Sequence, residues 1–509
     1  MNAGVIVVGA GPVGLMLAGE LRLGGVDVVV YDKLPAPSGE SRALGFTRRV
    51  AEVFEQRGLL SRLGELTQGR QGHFGGVRID LGRLDESHHG VLGLPQSRTE
   101  EMLAGWLAEL GVPVRRGYEA VEVRQTGQDV TVVFDGPQGR HEATAGYLVG
   151  CDGPQSTVRT ATGFETTGWP ATRGMYMADI TGVELRQRPI GERVPGGNMV
   201  LATDLGDGYY RVLIHDRSLR PRPDSEPLTF PEVADAWQRM TGESIHAARA
   251  RWTCAFSNAA RLVTEYRRGR VLLAGDAAHD TPPLAGWGLS VGIQDAVNLG
   301  WKLAAVVGGR APESLLDTYH TERHPLGQQL LRNTHAASTL YLTGDELEPL
   351  RGVLRELVEH RDAAGHLAGM VSGLGIRYDL GDGRHPLLGR RMPPDRELVR
   401  SDGSRTRVAE LLHAGRGVFV DTGHAVEPDG SGTTAGAVAG WSDRVDVVTG
   451  DWVQDGPGDP AYAALGSVLI RPDGYLAWVA PDGGDLTEAL DRWFGAARSA
   501  LPAEPAAVS

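Results

Sequence analysis

The sequence predicts an α/β protein of more than one domain: a Rossmann-type dinucleotide-binding unit first, a mixed β-sheet inserted in the middle, a helical segment, and a small α/β domain last. Three observations predict it. A short apolar strand, a glycine-rich turn, an apolar helix and a second strand ending in an acid follow one another near the start. A chain of 509 residues is too long for one core. Between Gly163 and Arg268 the pattern changes to strand-like runs, and helical periodicity then returns.

Gly4 to Val8 reads as a buried strand, followed by Gly9-Ala10-Gly11-Pro12-Val13-Gly14 and a helix carrying Leu15, Leu17, Ala18, Leu21 and Leu23. Gly24-Gly25 ends the helix, and a second strand, Val26 to Tyr31, stops at Asp32, with Lys33 next. Glycines permit the tight turn and close backbone approach, the helix N-terminus favours a pyrophosphate, and an acid at this offset meets a ribose hydroxyl. NAD(P) and FAD both use this unit. Arg42 precedes an amphipathic helix and either pairs with a phosphate or is a solvated loop arginine.

Residues 73 to 81 read as a strand, and Leu94 to Leu103, with Gln96 and Arg98, opens a helix. Residues 116 to 136 read as a hairpin around Thr126 to Asp129. A buried strand, Gly146 to Gly150, runs into Cys151-Asp152-Gly153, which is either a ligand-facing loop or an ordinary turn. Met175 to Ile180, Asn198 to Asp204 and Tyr209 to His215 are strands of the inserted sheet, the last two joined by the hairpin signal Leu205-Gly206-Asp207-Gly208. From Arg270 to Lys302 an apolar run ends in Gly275-Asp276, a Pro282-Pro283 loop and a glycine-rich turn before a long helix, the layout of a loop that offers backbone N–H groups and one carboxylate to a cofactor. Helices continue to about Ala368. Gly381 to Asp395 reads as a linker to a domain with strands at 417–421, 445–448 and 467–470, and a helix near 485–496.

The formal net charge of −13 repels nucleic acid and anionic membranes. Two cysteines, Cys151 and Cys254, form neither a disulfide framework nor a thiolate metal site, so a reducing cytoplasm is expected and no metal. No apolar run reaches the roughly 20 residues of a membrane span.

With the Gly9/Gly11/Gly14 unit and Asp32, the Asp152-Gly153 and Gly275-Asp276 motifs, Tyr319-His320-Thr321-Glu322-Arg323-His324-Pro325 and Leu469 to Trp478 all in order, the chain resembles the flavin-dependent aromatic hydroxylases of the para-hydroxybenzoate hydroxylase type, in the branch that tailors aromatic polyketides. The resemblance implies bound FAD, and NADPH (or NADH) as transient reductant. It divides the chain into an FAD-binding domain with a helical extension (1–162 and 269–385), a substrate-binding sheet domain (163–268) and a thioredoxin-like domain (386–509), which lacks cysteine and so dithiol chemistry.

By position, the resemblance puts Asp32 on the adenosine ribose, Arg42 and Asp152 near the pyrophosphate, Gln96 and Arg98 along the FAD chain, and Asp276 on the ribitol. Gly286, Trp287, Gly288, Leu289 and Ser290 surround the flavin ring, with Pro283 before them, where the helix N-terminus can stabilise charge at N1 and the C2 carbonyl. It implies hydroxylation of a polycyclic aromatic polyketide through a C4a-hydroperoxyflavin, with the inserted sheet covering the flavin and Phe74, Met177, Met199, Tyr210 and His215 as candidate lining residues. A monomer or homodimer acting on a small molecule follows. Ala285, Trp287 and Ser290 depart from the family pattern Pro-x-Gly-Gly-Gln-Gly-x-Asn, which points to altered flavin surroundings.

Baeyer–Villiger oxygen insertion by the same fold is the alternative reaction. Gly288-Leu289-Ser290-Val291-Gly292 also matches the GxSxG pattern of a serine hydrolase, but no strand runs directly into the serine. His320 and His324 have the spacing of zinc ligands without the glutamate that follows the first histidine in zinc proteases. No Trp-x-Trp-x-Ile-Pro run of a flavin halogenase occurs, and a non-catalytic flavin-binding regulator is the remaining class.

Overall fold

A computed structural model of the chain describes residues 3–81, 91–223, 226–283, 286–381, 383–423, 434–453 and 462–498. Its first sheet is built from Ala3–Val8 in the centre, parallel to Val28–Asp32 on one side and to Gly139–Gly150 on the other. Chain order therefore reverses across Ala3–Val8, which opens a crevice beyond the carboxyl ends of the strands. Val271–Leu273 adds to Gly139–Gly150 in parallel and brings the 274–283 loop to the same end. Every residue of Val5–Val7 and Val271–Leu273 is fully buried, because helices cover both faces of the sheet.

The helices are α1 (Pro12–Leu23), α2 (Arg48–Glu55), α3 (Gln96–Glu109), α4 (Thr157–Ala161), α5 (Phe230–Thr241), α6 (Gly288–Val307), α7 (Asp317–Leu342), α8 (Glu348–Leu357) and α9 (Arg361–Ser372). Pro12 in the first turn and Gly24 at the end bracket α1. α1 and α6 cross at glycines: a Cβ on Gly292 would lie 2.7 Å from Val13 Cγ2 and 3.1 Å from Gly275 Cα.

A separate five-stranded antiparallel sheet comprises, in spatial order, Arg188–Val194, Asn198–Gly206, Tyr209–His215, Gly174–Thr181 and Arg249–Ser257. α5 covers one face through Val233, Ala234 and Trp237, packed on Ala178, Ile180, Val212 and Ile214. Its ends are set by a Thr229–Glu232 capping box and left-handed Gly242. The last sheet orders Val445–Thr449, Gly417–Asp421, Val468–Ile470 and Leu476–Val479, the first pair parallel and the others antiparallel, with the helix Leu486–Phe494 behind it; this is a thioredoxin-like arrangement.

Two local expectations change. Residues 73–81 are not one strand but part of a hairpin, Gln71–Phe74 with Val77–Asp80, turned by Gly75 and Gly76 at φ 57° and 83°. The stretch 381–395 is not a loose linker: Leu387 and Met392 are fully buried, and Met392 N–H donates to Gly474 O at 2.8 Å. Its Gly/Pro/Arg composition marks tight turns that seat buried side chains, not freedom.

Candidate active site

Three loops meet at the carboxyl ends of the first sheet. Gly9 (φ 109°) and Gly14 permit the contact between them: a Cβ on Gly9 would sit 2.2 Å from Cys151 O, and one on Gly14 1.9 Å from Gly9 O. Gly11 differs, because nothing lies within 4 Å of the place its Cβ would take; it faces the open crevice. No side chain caps α1, so the first-turn N–H groups of Val13 and Gly14 remain free for an anion. Asp32 is clamped to this turn, accepting from Ala10 N–H at 2.6 Å and Leu34 N–H at 2.8 Å, with Arg116 3.6 Å away. Lys33 beside it is exposed.

Asp152 accepts from Ser156 Oγ at 2.5 Å and from Val158 N–H at 3.0 Å, so its carboxylate shapes the start of α4, while Gly153 opens onto free space. Arg159 ties that loop to the next one, donating to Pro154 O and Ala277 O. Asp276 is reachable by solvent yet enclosed on most sides, as a group on the floor of a cleft is. Burial raises its carboxyl above the ordinary range; the charges of His279 and Arg42 draw it back. A Cβ on Gly288 would lie 3.6 Å from Asp276 Oδ1, which puts the carboxylate beside the N-terminus of α6.

A buried ion network lies under this loop. Asp295 accepts from His279 Nε2 at 2.6 Å, from Arg323 Nε at 2.7 Å and from Gly275 N–H at 3.2 Å, and all three side chains are fully buried. Burial alone would raise Asp295, but Arg323 and His279 hold it below its usual value; burial would lower His279, and Asp295 holds it above. Sequence reasoning assigned no role to Asp295 or Arg323. The available signal was a charge inside the apolar face of each long helix, since such residues are rarely buried unless paired.

The loop before α2 is suspended from the five-stranded sheet. Arg211 donates to Arg42 O at 3.0 Å and to Ser41 O, and is itself held by Asp179 at 2.8 and 2.9 Å; Asp179 also accepts from Trp252 Nε1. The Arg42 side chain is exposed. Gln96 fastens the same loop at the start of α3, its N–H donating to Ala43 O at 3.0 Å and its Oε1 accepting from Ala43 N–H at 3.3 Å, whereas Arg98 is exposed and faces Glu101 at 3.4 Å.

Pro283 is exposed, and Leu284 and Ala285 lie outside the described residues. Gly286 opens onto free space at φ 66°. No side chain caps α6, and its N–H groups at Gly288, Leu289 and Ser290 have no acceptor among the described residues. Ser290 Oγ accepts from Thr47 N–H at 3.1 Å and has no histidine hydrogen bonded to it among the described residues, which removes the hydrolase reading. Trp287 is 8% exposed and stacks on Phe74, ring centroids 6.2 Å apart, among Val77, Ile79 and Leu330. Its size suits that apolar cluster. Two uncapped helix ends, three glycines open to the crevice and an acid on the second strand fit a flavin dinucleotide. No cluster of His, Cys, Asp and Glu among the described residues suits a metal.

Residues 2–334 match the FAD binding domain family model and residues 385–497 the model for the aromatic-ring hydroxylase C-terminal domain. The chain belongs to the FAD-dependent aromatic-ring hydroxylases. It is 40% identical to the 12-dehydrotetracycline 5-monooxygenase/anhydrotetracycline 6-monooxygenase of Streptomyces rimosus subsp. rimosus, over 97% of this chain and 99% of that one, and 41% identical to a rifampicin monooxygenase of Streptomyces venezuelae, with the same coverage. Among solved structures, CabE, an aromatic hydroxylase from angucycline biosynthesis, superposes with TM-score 0.93 at 52% identity, covering 98% of this chain and 100% of that one. The hydroxylase is thus a flavoprotein monooxygenase that binds FAD, in a family whose typical reductant is NADPH.

In this hydroxylase the face of the five-stranded sheet turned away from α5 carries Met175, Met177, Met199 and Leu213, closed over by Tyr341 and Leu342 of α7. Met199 pairs with His215, Met177 with Leu213 and Cys254, and Asp179 with Arg211 and Trp252, so these share the face. Tyr210 does not line it. It has the opposite parity on its strand and packs with α5 on the far side. Phe74 is half-buried against Trp287. A cleft of about 210 Å³ opens beside this face between Arg173, Asn258, Pro282, His335, Ser338 and Leu342.

Proposed function

We propose that this hydroxylase inserts an oxygen atom into a ring C–H of a polycyclic aromatic polyketide of angucycline-like shape. The observation that carries the reading is a methionine-rich sheet face joined by one buried arginine, Arg211, to the backbone of the loop before α2 at Ser41 and Arg42. Methionines give an adaptable apolar wall with favourable contacts to aromatic rings. The arginine fixes that wall relative to the cofactor. The substrate class follows CabE and the tetracycline and rifampicin enzymes.

The proposed division of the chain is 1–162 with 269–385 for FAD, 163–268 for substrate and 386–509 for the thioredoxin-like unit. Asp32 would hold the adenosine ribose, the free N–H groups of α1 the pyrophosphate with Arg42 nearby, and Asp276 the ribitol. The N-terminus of α6 would face the pyrimidine side of the flavin, where its free N–H groups meet developing negative charge. Bound FAD supplies oxygen activation: two electrons from NADPH and one O₂ enter, one oxygen atom goes to the substrate ring and the other leaves as water. The protein's part is to hold the ring in place and keep bulk water out; Trp287, Phe74 and the end of α7 do the latter.

No helix among the described residues is long and apolar enough to cross a membrane, and a cytoplasmic enzyme acting on a freely diffusing substrate is proposed. The test is to supply angular tetracyclic phenols and quinones with NADPH and air, following NADPH and O₂ consumption and identifying products by mass and NMR. A phenol one oxygen heavier is expected. A ring-expanded lactone would replace hydroxylation with Baeyer–Villiger chemistry, and NADPH consumption indifferent to every such compound would sink the substrate reading.

A further inference from the structure

We propose that His215 is the specificity-determining residue that recognises a hydroxyl or carbonyl oxygen at the end of the substrate remote from the hydroxylated carbon; this rests on the polycyclic reading above. His215 is fully buried, and neither ring nitrogen has a hydrogen-bond partner among the described residues. A core position that only needed filling would carry Phe or Leu at no such cost, because buried polar atoms are almost always paired. The residue shares the methionine face: its strand partner is Met199, and strand alternation sets it with Leu213 and Arg211. Unlike Arg211 and Asp179 on the same face, which hold each other, it is a polar group among methionines without a partner among the described residues, and a neutral imidazole offers one N–H donor and one lone pair, the complement of a phenol or of a hydroxyquinone edge.

Its location gives it a distinct task. Arg211, four residues before it on the same strand and face, grips the loop before α2 at Ser41 and Arg42. His215 is therefore about 13 Å further along the strand from the point where that loop is held. The register that pairs Met177 with Leu213 and Tyr176 with Ile214 runs on to bring His215 beside Met175, two residues from Arg173, which lines the cleft and donates to Leu342 O at 2.8 Å. Burial first, then Arg173 and Arg217, hold its pKa down to about 4 against the opposing Asp216, so the ring stays neutral and brings no charge into the site. A substrate entering from the cleft would present its far oxygen to the imidazole and its near ring to the flavin, and the histidine would select which end goes in first.

The test uses the FAD-loaded full chain, His215→Phe and His215→Gln, and two substrates that differ only in the terminal-ring oxygen. Wild type should bind the oxygenated substrate at least tenfold more tightly than the deoxy analogue, a comparison that needs no variant. His215→Phe should raise the KM for the oxygenated substrate about tenfold, leave the KM for the deoxy analogue unchanged and keep or raise the Tm, since two unpaired atoms are removed; a purely structural histidine would instead lower the Tm and affect both substrates alike. His215→Gln, which retains a donor and an acceptor, should recover part of the discrimination. Equal loss for both substrates, or wild-type KM in His215→Phe, overturns the proposal. A wild type that consumes NADPH with no polycyclic compound at all would overturn the substrate reading and this proposal together, and is distinguishable because it appears before any substitution is made.

Discussion

Glu322 and Arg323 are neighbours on α7, pointing about 100° apart, and each anchors a different buried ion network. Arg323 serves the 274–283 loop through Asp295 and His279. Glu322 serves the junction with the C-terminal unit: it takes both arms of Arg471 at 2.7 and 2.8 Å and Lys302 at 2.9 Å, while Arg471 also holds Asp473 at 2.5 Å and Asn298 bridges to both carboxylates. In the Glu322 network each of these donors ends on a protein acceptor. In the Arg323 network His279 Nδ1 has no partner among the described residues, while Arg323 also donates to the Tyr378 hydroxyl at 3.1 Å and to Val291 O at 3.0 Å. One joins α6 and α7 to the C-terminal unit; the other holds the 274–283 loop.

The two charged partners at the junction shift in ways that look contradictory. Glu322 falls to about 2 although burial opposes it, because Arg471 and Lys302 both face it; Lys302 falls to about 8, by burial and by sharing that carboxylate with the nearby Arg471. The direction for Glu322 is the firmer guide to stability, since two cations crowd one acid.

The largest way to break the contrast is Arg471→Met, which strands Glu322 and Asp473 with Lys302 alone. Removing one member of a buried ion cluster costs about 3–5 kcal/mol, and urea denaturation should show a loss of that order with bound FAD retained in the folded fraction. A loss below about 1 kcal/mol would mean that the network contributes little. Glu322→Gln should cost about 3 kcal/mol at neutral pH. The folded pKa is depressed, so this contribution is present above the unfolded value near 4.5 and disappears as pH falls through about 2. Parallel denaturation of wild type and variant should therefore converge across that window, and a gap independent of pH would contradict the assignment. Asp295→Asn should cost about 2–3 kcal/mol and, unlike the junction variants, lower FAD occupancy, read from the ratio of flavin to protein absorbance. Full occupancy would erase the distinction between the networks. Ser290→Ala, which leaves Thr47 N–H unpaired, should cost about 1 kcal/mol and weaken FAD binding only a fewfold in a fluorescence titration.

What could be read from sequence was local. Gly9 to Gly14 with Asp32 is a contiguous strand, turn, helix and strand, and Leu205 to Gly208 carries its own turn signal, with Asp207 at φ 52°. The departures at Trp287 and Ser290 could be seen but not interpreted, because their partners, Phe74 and Thr47, lie far away along the chain. Tyr210 and His215 could have been separated beforehand: five residues apart on one strand, they cannot share a face. Which face α5 covers was not legible, nor were the strands Arg188–Val194 and Arg249–Ser257, whose patterns do not alternate cleanly. Composition made 381–395 look like a linker, since buried Leu387 and Met392 are outnumbered there by turn-forming residues.

The junction also has a consequence in time. Trp301 and Leu315 lie in the middle of the chain, but they are covered by Trp478, Trp493 and Phe494, and Glu322 waits for Arg471. A ribosome makes the flavin-binding half first, and it leaves this half with a bare aromatic surface and an under-neutralised acid until almost the last residues emerge. The cysteine-free C-terminal unit then acts as the closing piece of synthesis, and a chain cut short before residue 385 should be captured by chaperones or aggregate even though every residue of the Gly9–Asp32 unit is present.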